Sequence, residues 1–515
     1  MMVVSRNKIV IDGNSLTIDQ VVEVARNYAQ VEVSTSAIDA MIKSRKIVED
    51  IVNNKKIVYG VTTGFGKLRN KFIDPEKGNM LQENLIKSHS CGVGNYVDKE
   101  IIRAVMLIRA NTLAKGFSGI RPEIINLLIS MINKDIIPLV PEKGSVGASG
   151  DLVPLAHIAL ALMGSNKVIY KGKEISADKA LETEGLKPMK PTYKEGIALI
   201  NGTAFMMGYA TLAYYDAKNL AKYADMAAAL SLEALLGTSA AFNQKIMSAR
   251  PIPGQIETAE NILKLVAESK LVNSKKNKVQ DAYSIRCVPQ IHAPVKDTLK
   301  FVEKILDIEL NSATDNPLIF HDGSVISGGN FHGEPISAAM DYLAIAMTIL
   351  GNVSERRIAR LIDDTANEGL PLFLIDKEKV GLNSGYMIPQ YVAAALASEN
   401  KVLAHPASVD SIPTSANFED FVSMGSIAAR KAYEIVKNTR RIIAIELLLG
   451  CQAIDFRGGS DMLGIGTKVI YDTIRKEVPM LRDDRILMHD ILKVETLLKT
   501  SNLIKRVENI VGELK

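Results

Sequence analysis

A chain of 515 residues with 47% hydrophobic and 23% charged residues has ordinary globular composition and enough apolar material for a large core. Its 62 basic and 58 acidic residues leave a net charge of +4 spread along the sequence, so neither nucleic acid nor an anionic membrane is called for as a partner. The three cysteines, Cys91, Cys287 and Cys451, form no Cys-x-x-Cys pair, which argues against a disulfide framework or a zinc site and fits a reducing compartment.

The stretch Met1 to Asp12 is broken by Arg6, Lys8 and Asp12 and lacks the apolar core of a signal peptide. No window approaches about 18 uninterrupted apolar residues, so a soluble cytoplasmic protein is expected. Lys8 to Gly13 reads as a short strand ending in a turn. Thr17 and Gln20 form a capping-box pattern ahead of a helix face built from Val21, Val24, Ala25 and Tyr28, and a second helix is expected over Ser36 to Val52. Three glycines in Tyr59-Gly60-Val61-Thr62-Thr63-Gly64-Phe65-Gly66 predict a loop. From Leu81 onward helical patterns dominate.

Gly144-Ser145-Val146-Gly147-Ala148-Ser149-Gly150-Asp151 runs straight into the apolar segment Leu152 to Met163. A phosphate loop would need Lys followed by Ser or Thr after its last glycine, and Asp151 stands there instead. The plain reading is a tight turn before a buried helix, with Asp151 as its N-cap, Pro154 in the first turn and Gly164 at the end. The chemical reading is that the Gly150 nitrogen closes onto the Ala148 carbonyl and Ser149 loses water, which makes an electrophile.

Long helical patterns cover Gly208 to Leu236, Ser337 to Leu361 and Ser423 to Ile454. With little strand signal among them they predict a mainly α fold: a long central helical bundle with a smaller mixed N-terminal region. The expected segments are 1–200 with the Tyr59 loop and the Ala148-Ser149-Gly150 turn, 201–457 as the bundle, and 458–515 as outer helices.

The polar clusters each admit two readings from residue chemistry. Tyr59 is a packed tyrosine or a base carried on a loop. His89, in Ser88-His89-Ser90-Cys91-Gly92, is a satisfied structural histidine or a recognition group. Asn201, in Asn201-Gly202-Thr203, sits where a helix start offers an anion or oxyanion site. Arg286, in Gln280-Asp281-Ala282-Tyr283-Ser284-Ile285-Arg286, is a salt-bridge partner or a fork for a carboxylate. Glu419 is half of a buried ion pair or a group that holds an imidazole N–H. His332 and Glu334 lack a third ligand at metal spacing, so no metal is expected.

Taken together, Tyr-Gly-Val-Thr-Thr-Gly-Phe-Gly at Tyr59, Gly-Ser-Val-Gly-Ala-Ser-Gly-Asp at Gly144, and the patterns around His89, Asn201, Arg286, Phe331 and Glu419 resemble the aromatic amino acid ammonia-lyase family, from Tyr59 to about Arg457. The resemblance implies a fumarase/aspartase-like architecture. It also implies a 4-methylideneimidazol-5-one formed from Ala148, Ser149 and Gly150, with no external cofactor, and a homotetramer whose active sites are shared between subunits. It assigns Tyr59 as catalytic base, Tyr283 and Glu419 to the catalytic shell, Arg286 and Asn201 to the substrate carboxylate, Gln280 to hydrogen bonding and Phe331 to shielding the electrophile. His89, Met387 and Glu419 resemble the histidine branch, so the implied reaction is elimination of ammonia from L-histidine to give trans-urocanate. Ala204, Phe418, Phe421 and Pro389-Gln390-Tyr391 depart from that branch. They keep a tyrosine ammonia-lyase or tyrosine 2,3-aminomutase as the alternative, and a non-catalytic helical assembly protein as the second.

Overall fold

The structure, a computed structural model, describes residues 8–500 and 502–515. It is mainly α, as the helical periodicities predict. The chain forms two compact units: Met1–Tyr215, Val302–Asp341 and Pro406–Arg430 make the first, and Asp216–Phe301, Tyr342–His405 and Lys431–Lys515 the second.

In the first unit the strand Lys8–Ile11 pairs in parallel with Gln30–Val33, with Lys8 opposite Gln30 and Ile11 opposite Val33. Between them the helix Ile18–Arg26 starts on a full capping box: Thr17 accepts from the Gln20 N–H, and the Gln20 side chain accepts from the Thr17 N–H. Two reciprocal bonds satisfy donors that a helix start leaves without partners. The helix Lys99–Ala114 is buried from Ile101 to Ala114, including Arg103, Arg109 and Asn111. Each of these polar groups meets a carbonyl, as buried polar groups must. The Arg103 guanidinium donates to the carbonyls of Val24 (3.0 Å) and Ile132 (2.9 Å), and Asn111 donates to that of Leu310 (2.9 Å).

The long helices are Ala204–Ala234, Glu334–Ile362 and Gly425–Phe456, each within a few residues of its expected span. The unit boundaries fall inside all three. In the second unit their later turns share one buried ion pair. Arg357 donates from Nε and Nη2 to the Glu446 carboxylate at 2.6 and 2.9 Å, and Ser231 and Ser354 add hydroxyl donors at 2.7 and 2.6 Å. All four side chains are fully buried. A charge pair in such a place is tolerable because every carboxylate oxygen is bonded. The helix Ile465–Glu477 buries one face, Gly466, Thr467, Ile470, Thr473 and Ile474.

Candidate active site

The turn at Ala148-Ser149-Gly150 is held from two distant parts of the first unit. From one side, the Met424 N–H donates to the Val146 carbonyl (2.9 Å), Ser423 Oγ to that of Gly147 (3.0 Å) and Ser426 Oγ to that of Ser145 (3.1 Å). From the other, Gly150 bridges Gly202 and the Asp151 N–H donates to the Gly202 carbonyl at 2.8 Å. Gly150 has φ +71°, and a Cβ there would lie 2.2 Å from the Gly202 carbonyl oxygen. Only glycine fits that approach.

Asp151 does not cap the helix that follows it. That helix, Val153–Leu162, starts at Leu152 with no side-chain cap, although Pro154 stands in its first turn and Gly164, at φ +76°, follows its end. Asp151 Oδ2 instead accepts from the N–H groups of Phe205 (2.9 Å) and Met206 (3.0 Å), in the first turn of the helix Ala204–Ala234. A carboxylate suits a helix N-terminus wherever in the sequence it comes from. Complete burial pushes the Asp151 carboxyl up to about 7, against the opposing pull of those N–H groups, the Ser145 hydroxyl and Arg109.

A cavity of about 1030 Å³ opens beside the turn. Tyr59, His89, Ala148, Ser149, Asn201, Phe331 and Glu419, all expected from the sequence, line it, and all belong to the first unit. Ser149 Oγ donates to Glu419 Oε1 at 3.0 Å, and Asn201 Nδ2 donates to the Ser149 carbonyl at 2.6 Å. Glu419 is held by Thr414: the hydroxyl donates to Oε2 at 2.8 Å, and the two residues form a backbone bridge. Tyr59 lies in the expected loop, where its phenol oxygen accepts from the Gly66 N–H at 3.3 Å.

His89 ends the helix Gly78–His89, and its Nδ1 lies 2.8 Å from the Leu85 carbonyl. A carbonyl only accepts, so Nδ1 carries the proton and Nε2 is left as an acceptor in the neutral ring. Burial pulls the His89 imidazole below its ordinary value, outweighing the Leu85 carbonyl and the Glu419 charge, which favour the cation.

Gln280, Tyr283, Arg286 and Met387 belong to the second unit and are not among the cavity-lining residues. Arg286 donates to Gln280 Oε1 at 2.5 Å and lies 4.7 Å from the Tyr283 ring centre, and Tyr283 is 69% exposed. These three form a cluster of their own at the surface of that unit. Met387 opens the helix Met387–Leu403. Phe418 and Phe421 line the cavity; Arg69 stacks on Phe418 at 4.2 Å, and His332 lies parallel to Phe421.

The residues around the turn fit the electrophile implied by the resemblance. Ring closure needs a residue without Cβ at Gly150, a leaving hydroxyl at Ser149 and a donor for the Ser149 carbonyl, and each is present with its partner. Arg109, which meets the Asn201 carbonyl, and Thr414, which holds Glu419, were not singled out in the sequence, and only Thr414, five residues before Glu419, carried any local signal.

The family model for aromatic amino acid lyases matches residues 16–476. A protein of Alkaliphilus oremlandii named histidine ammonia-lyase is 52% identical over 506 residues, covering 98% of this chain and 99% of its own. The crystal structure of histidine ammonia-lyase from Trypanosoma cruzi aligns with a TM-score of 0.91 at 42% identity, over 98% of this chain and 96% of that one. Tyrosine aminomutase from Streptomyces globisporus aligns with a TM-score of 0.93 at 38% identity, over 99% and 100%. With an Ala-Ser-Gly turn braced beside the cavity and this likeness along nearly its whole length, the chain belongs to the aromatic amino acid lyase family.

Proposed function

We propose that this protein eliminates ammonia from L-histidine to give trans-urocanate. It acts in the cytoplasm as a homotetramer whose active sites are shared between subunits. The observation that carries the reading is the meeting of Ser149 with Glu419, a glutamate, in a cavity that His89 also lines. Relatives named histidine ammonia-lyase at about half identity over nearly the full chain support it.

Closure joins the Gly150 nitrogen to the Ala148 carbonyl carbon with loss of one water, and Ser149 loses its hydroxyl and α-proton as a second. The resulting 4-methylideneimidazol-5-one supplies an electrophile that turns the substrate amine into a better leaving group. The Asn201 amide on the Ser149 carbonyl withdraws electron density from it. Tyr59 takes the β-proton as the carbon–nitrogen bond breaks and the carbon–carbon double bond forms. Arg286, with Asn201, holds the substrate carboxylate through a planar fork, and Gln280 and Tyr283 accompany it. A half-buried Arg286 beside an exposed Tyr283 in one chain accords with sites completed by a neighbouring subunit. His89 and Glu419 recognise the imidazole, and the His89 tautomer set by Leu85 offers an acceptor for a ring N–H. Phe331 shields the electrophile and Met387 borders the imidazole.

An ultraviolet progress curve with L-histidine, L-tyrosine and L-phenylalanine in separate samples tests this. Urocanate from histidine alone is expected. Coumarate or β-tyrosine would overturn the substrate, and an intact mass without the loss of two waters would overturn the electrophile.

A further inference from the structure

The backbone of Asn201, whose side-chain amide meets the Ser149 carbonyl, is held by a buried cation from elsewhere in the chain. Arg109, fully buried on the helix Lys99–Ala114, donates from Nη2 to the Asn201 carbonyl at 2.7 Å and also to the Ala198 carbonyl. These carbonyls lie at the end of the short helix Glu195–Ile200, where backbone acceptors lack partners. The guanidinium also lies against Gly202: a Cβ at Gly202 (φ +137°) would be 2.5 Å from Arg109 Nη1 and 2.6 Å from Thr314 Oγ1. Gly202 in turn takes the Asp151 N–H. One side chain thus backs two of the contacts of the turn, Asn201 to Ser149 and Gly202 to Asp151.

The cation is only partly satisfied here. Arg109 Nε and Nη1, Thr314 Oγ1 and Asn201 Oδ1 are buried with no hydrogen-bond partner among the described residues, and burying a cation with unmade bonds is costly. Asp315 and Asp151 supply the opposing charge. Lysine would not reproduce this contact, because the nitrogen that meets both carbonyls is Nη2 of a rigid planar head wedged against Gly202, whereas an ammonium rides on a flexible stem.

We propose that Arg109 is a positioning residue for the elimination: its guanidinium fixes the Ala198–Gly202 turn so that the Asn201 amide stays on the carbonyl of Ser149. The proposal rests on the ammonia-lyase reading above. It acts on the reaction through the contact of Asn201 with the Ser149 carbonyl, while Arg286 keeps its hold on the substrate carboxylate.

The test is a double-mutant cycle on the full-length protein, with Arg109→Lys, Asn201→Ala and the pair, reading kcat, KM, melting temperature and intact mass. Arg109→Lys is expected to lower kcat on the order of 30-fold, with KM within about threefold and the loss of two waters retained. In the Asn201→Ala background the same change should cost no more than about twofold, because the group it positions is gone. Equal losses in both backgrounds, a change in KM alone, or no loss of kcat would overturn the proposal. If Arg109→Lys does not fold, Arg109→Gln, which keeps donors for the carbonyls, is read in the same cycle. Should neither fold, Arg109 is a folding residue and the proposal falls. The wild-type arm separately reports on the reaction: no urocanate there would sink the reading on which the proposal rests.

Discussion

Glu419 reaches Ser149 across 270 residues of sequence, its Oε1 accepting from the Ser149 hydroxyl at 3.0 Å. A glutamine at Glu419 would keep the shape and lose the charge. Glu419→Gln is expected to lower kcat for L-histidine by on the order of 100-fold, whereas Met387→Leu, a volume-conserving change, should cost less than about threefold. Steady-state kinetics of the two variants check this, and equal, small effects would remove Glu419 from its assigned role.

Gly150→Ala places a methyl group 2.2 Å from the Gly202 carbonyl oxygen at a φ of +71°. The turn must then open, and ring closure with it. Mass spectrometry of the purified variant should show no loss of two waters, in a protein that still melts cooperatively.

Burial holds His89 below its ordinary value, so the neutral ring, with Nε2 as acceptor, persists across neutral pH. Protonation converts that acceptor into a donor only as the pH falls below about 6.5. A profile of kcat/KM against pH should therefore lose activity on the acid side of that value, and His89→Gln should make this limb shallower, leaving the part due to the substrate imidazole, while lowering the plateau.

In the second unit Glu233 accepts from the Gly464 N–H at 2.7 Å, and burial pushes its carboxyl up to about 7. The folded state therefore binds a proton more tightly than the unfolded state, and stability falls as the pH rises from about 4.5 to about 7. Glu233→Gln is neutral throughout, so it should flatten that fall and gain on the order of 3 kcal/mol above pH 7. Denaturant melts at pH 5 and pH 8 decide it; an unchanged difference between the two would refute the assignment.

Arg357 and Glu446 are both fully buried. Glu446→Ala would strand the guanidinium, at a cost of about 3–5 kcal/mol. Replacing both residues with apolar ones should recover much of that loss in the same melting experiment.

What the sequence disclosed follows from the range over which each signal acts. The Thr17 capping box needs only residues three apart, and it is present as read. The long helices were legible because their apolar period persists for more than twenty residues; the period alone marks Ala204–Ala234 only from Gly208, while Asn201-Gly202-Thr203 marks its start. Its N-terminus is capped by Asp151, some fifty residues away, and a local capping rule assigned that carboxylate to the wrong helix. The motif residues around the cavity were found through their neighbours in sequence. Arg109 was not, since a lone arginine in an apolar helix gives no sign of which carbonyls it will meet.

The reactive turn has one more property, which concerns the order in which the protein is made. Ser145, Val146, Gly147 and Ser149 take their partners from Glu419, Ser423, Met424 and Ser426. On the ribosome those partners are synthesised more than 250 residues after the turn. A nascent chain can therefore complete its first helices long before the turn acquires its full bracing, and the ring closure proposed above would wait until the chain is nearly finished.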